Sequence, residues 1–220
     1  MPSLTIENYV KAIYQIAART EKKAVSTGEL ATALSVSPGT VTSMLKTLGE
    51  TGLASYTKYE GVSLSDPGRI LALRVLRRHR LIELFLVKTL DLSWDEVHEE
   101  AENMEHSVSD LLVDRMDEYL GHPKSDPHGD PIPKADGTIQ AEQCHKLTEW
   151  EAGKPFRLAR VLDQTTDFLR YLSQQQLSPG CEGTVVESRL EAGIITIEVN
   201  QHRTTLGLEA AEKILVSGLD

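Results

Sequence analysis

The feature that most restricts this chain is a pair of short amphipathic segments held apart by a tight turn. Ser26 or Thr27 can cap the first, which carries Leu30, Ala31 and Leu34 on one face; residues 35–39 form the turn, and the second segment runs over 40–50. Helices of two or three turns are marginal alone in water, so both must pack against a neighbour. Residues 5–18 offer one, with Ile6, Val10, Ile13 and Ala17 at helical spacing before a polar stretch, 19–24. After Gly52 the pattern becomes extended: Leu53, Ser55 and Thr57, a turn around Glu60 and Gly61, then Val62 and Leu64 before the breaker Asp66, Pro67, Gly68. Helix, tight turn, helix and a two-stranded wing make residues 1–66 a predicted winged helix-turn-helix.

A net charge of −10 argues against a polyanionic partner until it is divided. Residues 1–80 hold 11 Lys and Arg against 6 Asp and Glu, whereas residues 81–220 hold 12 against 27. A basic module followed by an acidic one points to a polyanion for the first, and to cations or other proteins for the second. In a winged helix-turn-helix the second helix presents small polar groups to base edges and phosphates, while basic residues neutralise the backbone. Ser37, Thr40, Thr42, Ser43 and Lys46 are the candidate contacts on it, and Lys58, beside Tyr59 in the wing, is a candidate backbone contact. Ser37 and Thr40 lie where the turn meets the helix, so their hydroxyls and the free amides there can reach phosphates.

No apolar run approaches the roughly 20 residues that cross a bilayer, and residues 1–8 lack a basic region followed by a hydrophobic core. The expectation is a cytoplasmic chain with no membrane partner. Cys144 and Cys181 have neither zinc spacing nor the density of a disulfide framework.

The middle of the chain, 67–121, reads as helical. A long helix is predicted from Pro67 to Leu90, with the basic run Arg74, Arg77, Arg78, His79, Arg80 beside apolar Leu73, Leu76, Leu81 and Leu84. A second helix is expected to be capped by Ser93, with Asp95 and Glu96 in its first turn. A third, about 109–120, carries Leu111, Leu112, Val113, Met116 and Leu120 on several faces, which predicts burial against other helices or another subunit. On the second helix His98, Glu102, Glu105 and His106 stand at offsets 0, 4, 7 and 8, and at about 100° per residue they share one face. His79 and Glu83 repeat the i, i+4 arrangement on the long helix. His nitrogen with carboxylate oxygen and no thiolate suits manganese(II), iron(II), cobalt or zinc rather than calcium or magnesium.

Residues 122–155 shift to Gly, Pro, Asp and His and read as a linker or irregular arm. Beyond it, over 156–220, strand-like 156–162, a short helix near 165–173, and strands at 183–187, 194–199 and 204–208 suggest a small antiparallel barrel. Arg157, Arg160 and Arg170 there are expected to pair with the acidic middle domain. The predicted class is mainly α with a small β part.

Taken in order, residues 6–14, the winged helix-turn-helix, Arg78 to Leu81 with Glu83, Val97 to His106, and Pro127, His128, Gly129 through Pro131, Ile132, Pro133 resemble the diphtheria toxin repressor family of iron- and manganese-dependent regulators, the manganese transport regulator branch most closely. The resemblance covers nearly the whole chain. It implies a homodimeric repressor with a winged-helix domain, a helical dimerisation and metal domain, and an SH3-like (FeoA-like) C-terminal domain. It further implies double-stranded operator DNA as partner and Mn2+ or Fe2+ as co-repressor, with Zn2+, Co2+ or Ni2+ as stand-ins in vitro. The family's primary metal site maps by position onto Asn8, Glu102, Glu105 and His106, and its ancillary site onto His79, Glu83 and His98, with Gln164 and Asp167 as further ligands. One ion at the primary site would bridge the DNA-binding and dimerisation domains and fix the spacing of two recognition helices.

Two departures stand out. The iron-sensing branch resembles Met and Cys ligands where this chain has Asn8 and Glu102, a lean towards manganese. The manganese branch carries acids on the first helix where this chain has Asn8 and Lys11, which argues against a two-metal cluster and leaves open an altered preference or a weakened primary site. Two other readings fit parts of the sequence: a winged-helix regulator answering to an organic ligand or redox, and a helical metalloenzyme.

Overall fold

The computed structural model describes residues 3–20, 22–140 and 142–219, which form two compact units. The first unit contains the residues up to His79, with 104–108 and 133–138; the second contains 80–103, 109–132 and the residues from Ile139 onward. Among the described residues no helix is long and apolar enough to cross a membrane.

In the first unit, α1 (Leu4–Thr20), α2 (Thr27–Ala33) and α3 (Pro38–Glu50) bury Val10, Ile13, Ile16, Leu30, Val41, Leu45 and Leu48 in one core. The caps place the helices as the sequence predicts. Ser26 Oγ accepts from the Glu29 amide while the Glu29 carboxylate accepts from the Ser26 amide, a reciprocal capping box. Ser37 caps α3 and Pro38 occupies its first turn, so the helix begins two residues earlier than its apolar periodicity suggests. The wing is β1 (Ala54–Thr57) paired antiparallel with β2 (Gly61–Leu64), and Val25 extends it through two backbone bonds with Val62. The long helix α4 (Asp66–Leu90) runs on from the wing.

The second unit contains α5 (Val97–Met104), α6 (Asp110–Tyr119), α7 (Thr166–Gln174), α8 (Leu208–Ala211) and a six-stranded antiparallel sheet. Its strands are β3 (His145–Lys146), β4 (Pro155–Val161), β5 (Glu182–Arg189), β6 (Ile194–Val199), β7 (His202–Gly207) and β8 (Ile214–Ser217), in the order β3-β8-β4-β5-β6-β7. Alternation along β6 sends Ile195, Ile197 and Val199 into a core with Phe156, Leu158, Leu169, Leu172, Val185 and Val216. Arg170 pairs with Asp95 at 2.8 Å, Trp94 donates to Ser173 at 2.8 Å, and Arg160 pairs with Asp130, whereas Arg157 turns to Glu182 within the sheet.

Two expectations need correction. Ser93 does not cap α5: its hydroxyl is bonded to Glu96 in a separate turn, and the helix begins at Val97. The helix then stops at Met104, because Ser107 and Val108 are weak helix formers and Ser109 is committed as the N-cap of α6. Of the two arrangements expected for α6, burial against other helices or against another subunit, the single chain does not supply the first for Leu111 and Leu112, which are exposed.

Residues 122–140 form neither helix nor sheet strand, yet Asp126, His128, Asp130 and Ile132 are buried. The segment folds back through a Ser125–Pro131 bridge and receives the Val161 amide on the His128 carbonyl at 2.9 Å. Gly129 makes this approach feasible: its φ is +86°, and a Cβ there would overlap the Ala159 carbonyl. Gly129→Ala should therefore destabilise the protein by about 1–3 kcal/mol and loosen the 126–130 segment, read as a lower Tm and faster local amide exchange.

Candidate metal centres

Helix α4 carries a charged run that folding withdraws from water: Arg77, Arg78, His79, Arg80 and Glu83 are each less than a tenth exposed. Buried charges must be paired, and partners arrive from distant parts of the chain in both units.

In the first unit the partners are α1 and the turn following α5. Glu105 is fully buried, and Lys11 Nζ lies 2.8 and 2.9 Å from its two oxygens. His79 Nδ1 is 2.6 Å from Oε2, and His106 Nε2 is 3.2 Å from Oε1 without the alignment of a hydrogen bond. Burial alone would raise the Glu105 pKa, but the His79 bond and the Lys11 charge outweigh it and hold it below the ordinary value. His106 Nδ1 bonds Glu7 Oε2 at 2.7 Å, and Arg78 lies 3.8 Å from Glu7 Oε1. The α1 side chain that meets His106 is Glu7, while Asn8, mapped by position as a metal ligand, has its Oδ1 buried without a hydrogen-bond partner. Glu105 and His106 come together, but in a turn and not on a continuous helical face.

In the second unit Glu83 is the hub. His98 Nδ1 is 3.2 Å from Glu83 Oε1, and His98 Nε2 is 3.9 Å from Glu102, half-exposed one turn along α5. On the other side, Glu83, Asp126 and His128 each offer a ligand atom, all within 4.8 Å of one another and all buried. Asp126 is fixed by the amides of His128 and Asp130, at 2.8 and 2.9 Å on one oxygen. His128 Nε2 is 2.7 Å from the Trp94 carbonyl, which can only accept, so that nitrogen carries the proton. The other nitrogen, Nδ1, faces Glu83 Oε2 across 3.7 Å with no hydrogen-bond partner in a fully buried side chain.

The electrostatics show a pocket short of positive charge. Burial, then the neighbouring Asp130 and Glu83 carboxylates, push the Asp126 pKa up to about 7 despite Arg80. Burial opposes a charged His128, but Glu83, Asp126 and the Trp94 carbonyl prevail and raise its pKa. A donor set of one imidazole and two carboxylates, with an orphaned ring nitrogen aimed inward, fits a divalent transition ion such as Mn2+ or Fe2+. Sequence reasoning did not single out Asp126 and His128 as candidate ligands, although the Pro127–His128–Gly129 stretch was legible. Of the remaining candidates, Gln164 donates to Asp130 at 2.9 Å, and Asp167 is exposed in the first turn of α7.

The candidate DNA contacts lie on α3, its N-cap and the wing. Thr40, Ser43 and Lys46 are exposed on α3, and Lys58 is exposed in the wing with its ammonium 4.9 Å from the Tyr59 ring centre. Three hydroxyls are already engaged: Ser37 accepts from the Thr40 amide, the Ser37 and Thr40 hydroxyls are hydrogen-bonded to each other at 2.8 Å, and Thr42 donates to the Pro38 carbonyl.

Family models match residues 1–62 as the iron dependent repressor N-terminal DNA binding domain, 65–134 as the iron dependent repressor metal binding and dimerisation domain, and 145–218 as a FeoA domain. The chain is 30% identical to the iron-dependent repressor IdeR of Mycobacterium tuberculosis across 96% of both chains. It is 34% identical to the HTH-type transcriptional regulator MntR of Lysinibacillus sphaericus, over 53% of this chain and 81% of that one. Among solved structures it is similar to a manganese-dependent transcriptional repressor in complex with manganese, with a TM-score of 0.86 and 38% identity over 97% of this chain and 100% of that one.

A carboxyl whose folded pKa is raised binds its proton more tightly in the native state, so its contribution to stability is present at low pH and lost as pH rises. For Asp126 that window runs from about 4 to about 7. Urea unfolding of metal-free protein across this range should show Asp126→Asn gaining stability relative to wild type as pH rises; a constant difference would contradict the assignment.

Proposed function

Because this chain belongs to the diphtheria toxin repressor family of iron- and manganese-dependent regulators, we propose that it is a metal-activated transcriptional repressor of metal-ion uptake genes, acting as a homodimer on double-stranded operator DNA. The observation that carries this reading is the buried Glu83, Asp126 and His128 group with its inward-facing ring nitrogen. Those three residues would hold the ion, with His98 beside Glu83. When bound, a divalent ion supplies positive charge that offsets the repulsion among Glu83, Asp126 and Asp130.

The chain's own residues do the rest. Trp94 orients the His128 ring, two backbone amides hold Asp126, and Arg80 stands 3.6 Å from Asp126 and 3.5 Å from Asp130. On the DNA side, Lys46 and Lys58 supply phosphate contacts, and Thr40 and Ser43 face outward from α3 towards base edges. The exposed apolar side chains Leu90, Leu111, Leu112 and Tyr119 support dimerisation through α4 and α6. Metal and DNA binding are then linked, and each tightens the other by the same factor. No catalytic role is assigned.

An apolar cleft of about 310 Å³, lined by Ile13, Tyr14, Ala17, Val62 and Leu64 with Lys23 and Arg69, favours a second reading, an organic effector. Anisotropy with DNA selected in vitro by the Mn2+-loaded protein separates the two. Chelation should weaken binding by about tenfold or more, and His128→Ala, its fold checked by circular dichroism, should lose the Mn2+ response. Lys46→Ala should reduce the salt slope by about 1. Binding indifferent to chelator would favour the organic effector.

A further inference from the structure

On the side of Glu105 that faces α1, the residues present do not fit a divalent ion. Lys11 Nζ is nearly equidistant from the two carboxylate oxygens, at 2.8 and 2.9 Å, so it occupies the side of the carboxylate from which an ion would engage both. A transition ion binds carboxylate oxygen at about 2.0–2.2 Å, and it cannot share that position with an ammonium. Oε1 faces Lys11 and His106, and Oε2 faces Lys11 and His79. The lysine is itself 6% exposed and Glu105 is fully buried, so the contact is interior and resists exchange with solvent.

We propose that the Lys11 ammonium is a tethered counter-cation that takes the place of a divalent ion at Glu105, so that the docking of the 104–108 turn onto α1 is independent of metal and each protomer binds its ion at the Glu83, Asp126 and His128 group. This rests on the metal-activated reading. The turn is tied to α1 by Lys11 to Glu105 and Glu7 to His106, and both links are made by side chains. The bivalent positive charge that a metal would contribute there is replaced by a single charge that never dissociates from the chain. In this protein, metal availability is therefore read at the second centre alone.

Calorimetric titration of chelator-treated full-length protein with Mn2+, alongside the Mn2+-induced shift in Tm, tests the proposal. Wild type should take up one equivalent per protomer and Glu105→Gln the same. Lys11→Glu and the nearly isosteric, neutral Lys11→Met should take up one more, with a larger Mn2+-induced rise in Tm; circular dichroism establishes that each is folded. Unchanged stoichiometry in both Lys11 variants, or a wild-type equivalent that Glu105→Gln removes, would overturn it. His128→Ala addresses the underlying reading separately. If it fails to remove an equivalent, the assignment of the wild-type ion to the Glu83 centre is wrong, while the difference between the Lys11 variants and wild type still decides the role of Lys11.

Discussion

The structure is organised by the need to compensate a run of charge buried along one helix. Residues 77–83 of α4 include three arginines, a histidine and a glutamate, all withdrawn from water. An ion left unpaired in such a setting costs about 3–5 kcal/mol, comparable to much of a domain's net stability. Segments far away in sequence are therefore drawn to it. Glu7 comes to Arg78 and Glu105 to His79 in the first unit; Asp126 and Asp130 come to Arg80, and His98 and His128 to Glu83, in the second. The 122–140 segment is a clear consequence: with no regular hydrogen-bonding ladder of its own, it is held by the charges it supplies and by one glycine against β4.

The same principle separates the two metal-shaped clusters. At Glu105 the carboxylate is compensated on both oxygens by a lysine from α1, and its low pKa reflects a group comfortable as an anion. At Glu83 three carboxylates crowd one pocket and Asp126 is driven up to about 7, with no lysine among the described residues on either of its oxygens. Residue types alone make the first cluster look as good a metal site as the second. Charge compensation in three dimensions ranks them the other way.

The winged helix was legible because its signals are local: a capping box at Ser26 and Glu29, a Ser37–Pro38 helix start, alternation in the wing. The C-terminal strands were legible where alternation was strong, as in β6, and missed in the two-residue β3 and in β8, whose pairing depends on remote partners. The structure corrects the expected common helical face. Offsets of 0, 4, 7 and 8 imply a common face only on an uninterrupted helix, and the cap at Ser109 ends that continuity after Met104. No spacing rule reveals that Lys11 reaches Glu105, 94 positions on, or that Glu7 rather than Asn8 meets His106. The Pro127–His128–Gly129 stretch was visible as punctuation. Its chemistry emerges only when the chain folds back and places His128 against Glu83.

A chain that carries its own cation at one centre gains a simpler response. Two dissociable ions would make occupancy depend on both affinities and on their coupling, so the switch would follow the product of two binding equilibria. Fixing one charge covalently removes one equilibrium and leaves a single site to set the threshold. The cost is steric and electrostatic: an ammonium makes fewer directed bonds than a coordinated ion, and it demands a buried acid that stays ionised. Glu105 meets that demand because His79 adds a second interaction on the same carboxylate. Lys11 and His79 thus act on the same carboxylate, and both favour its ionised form.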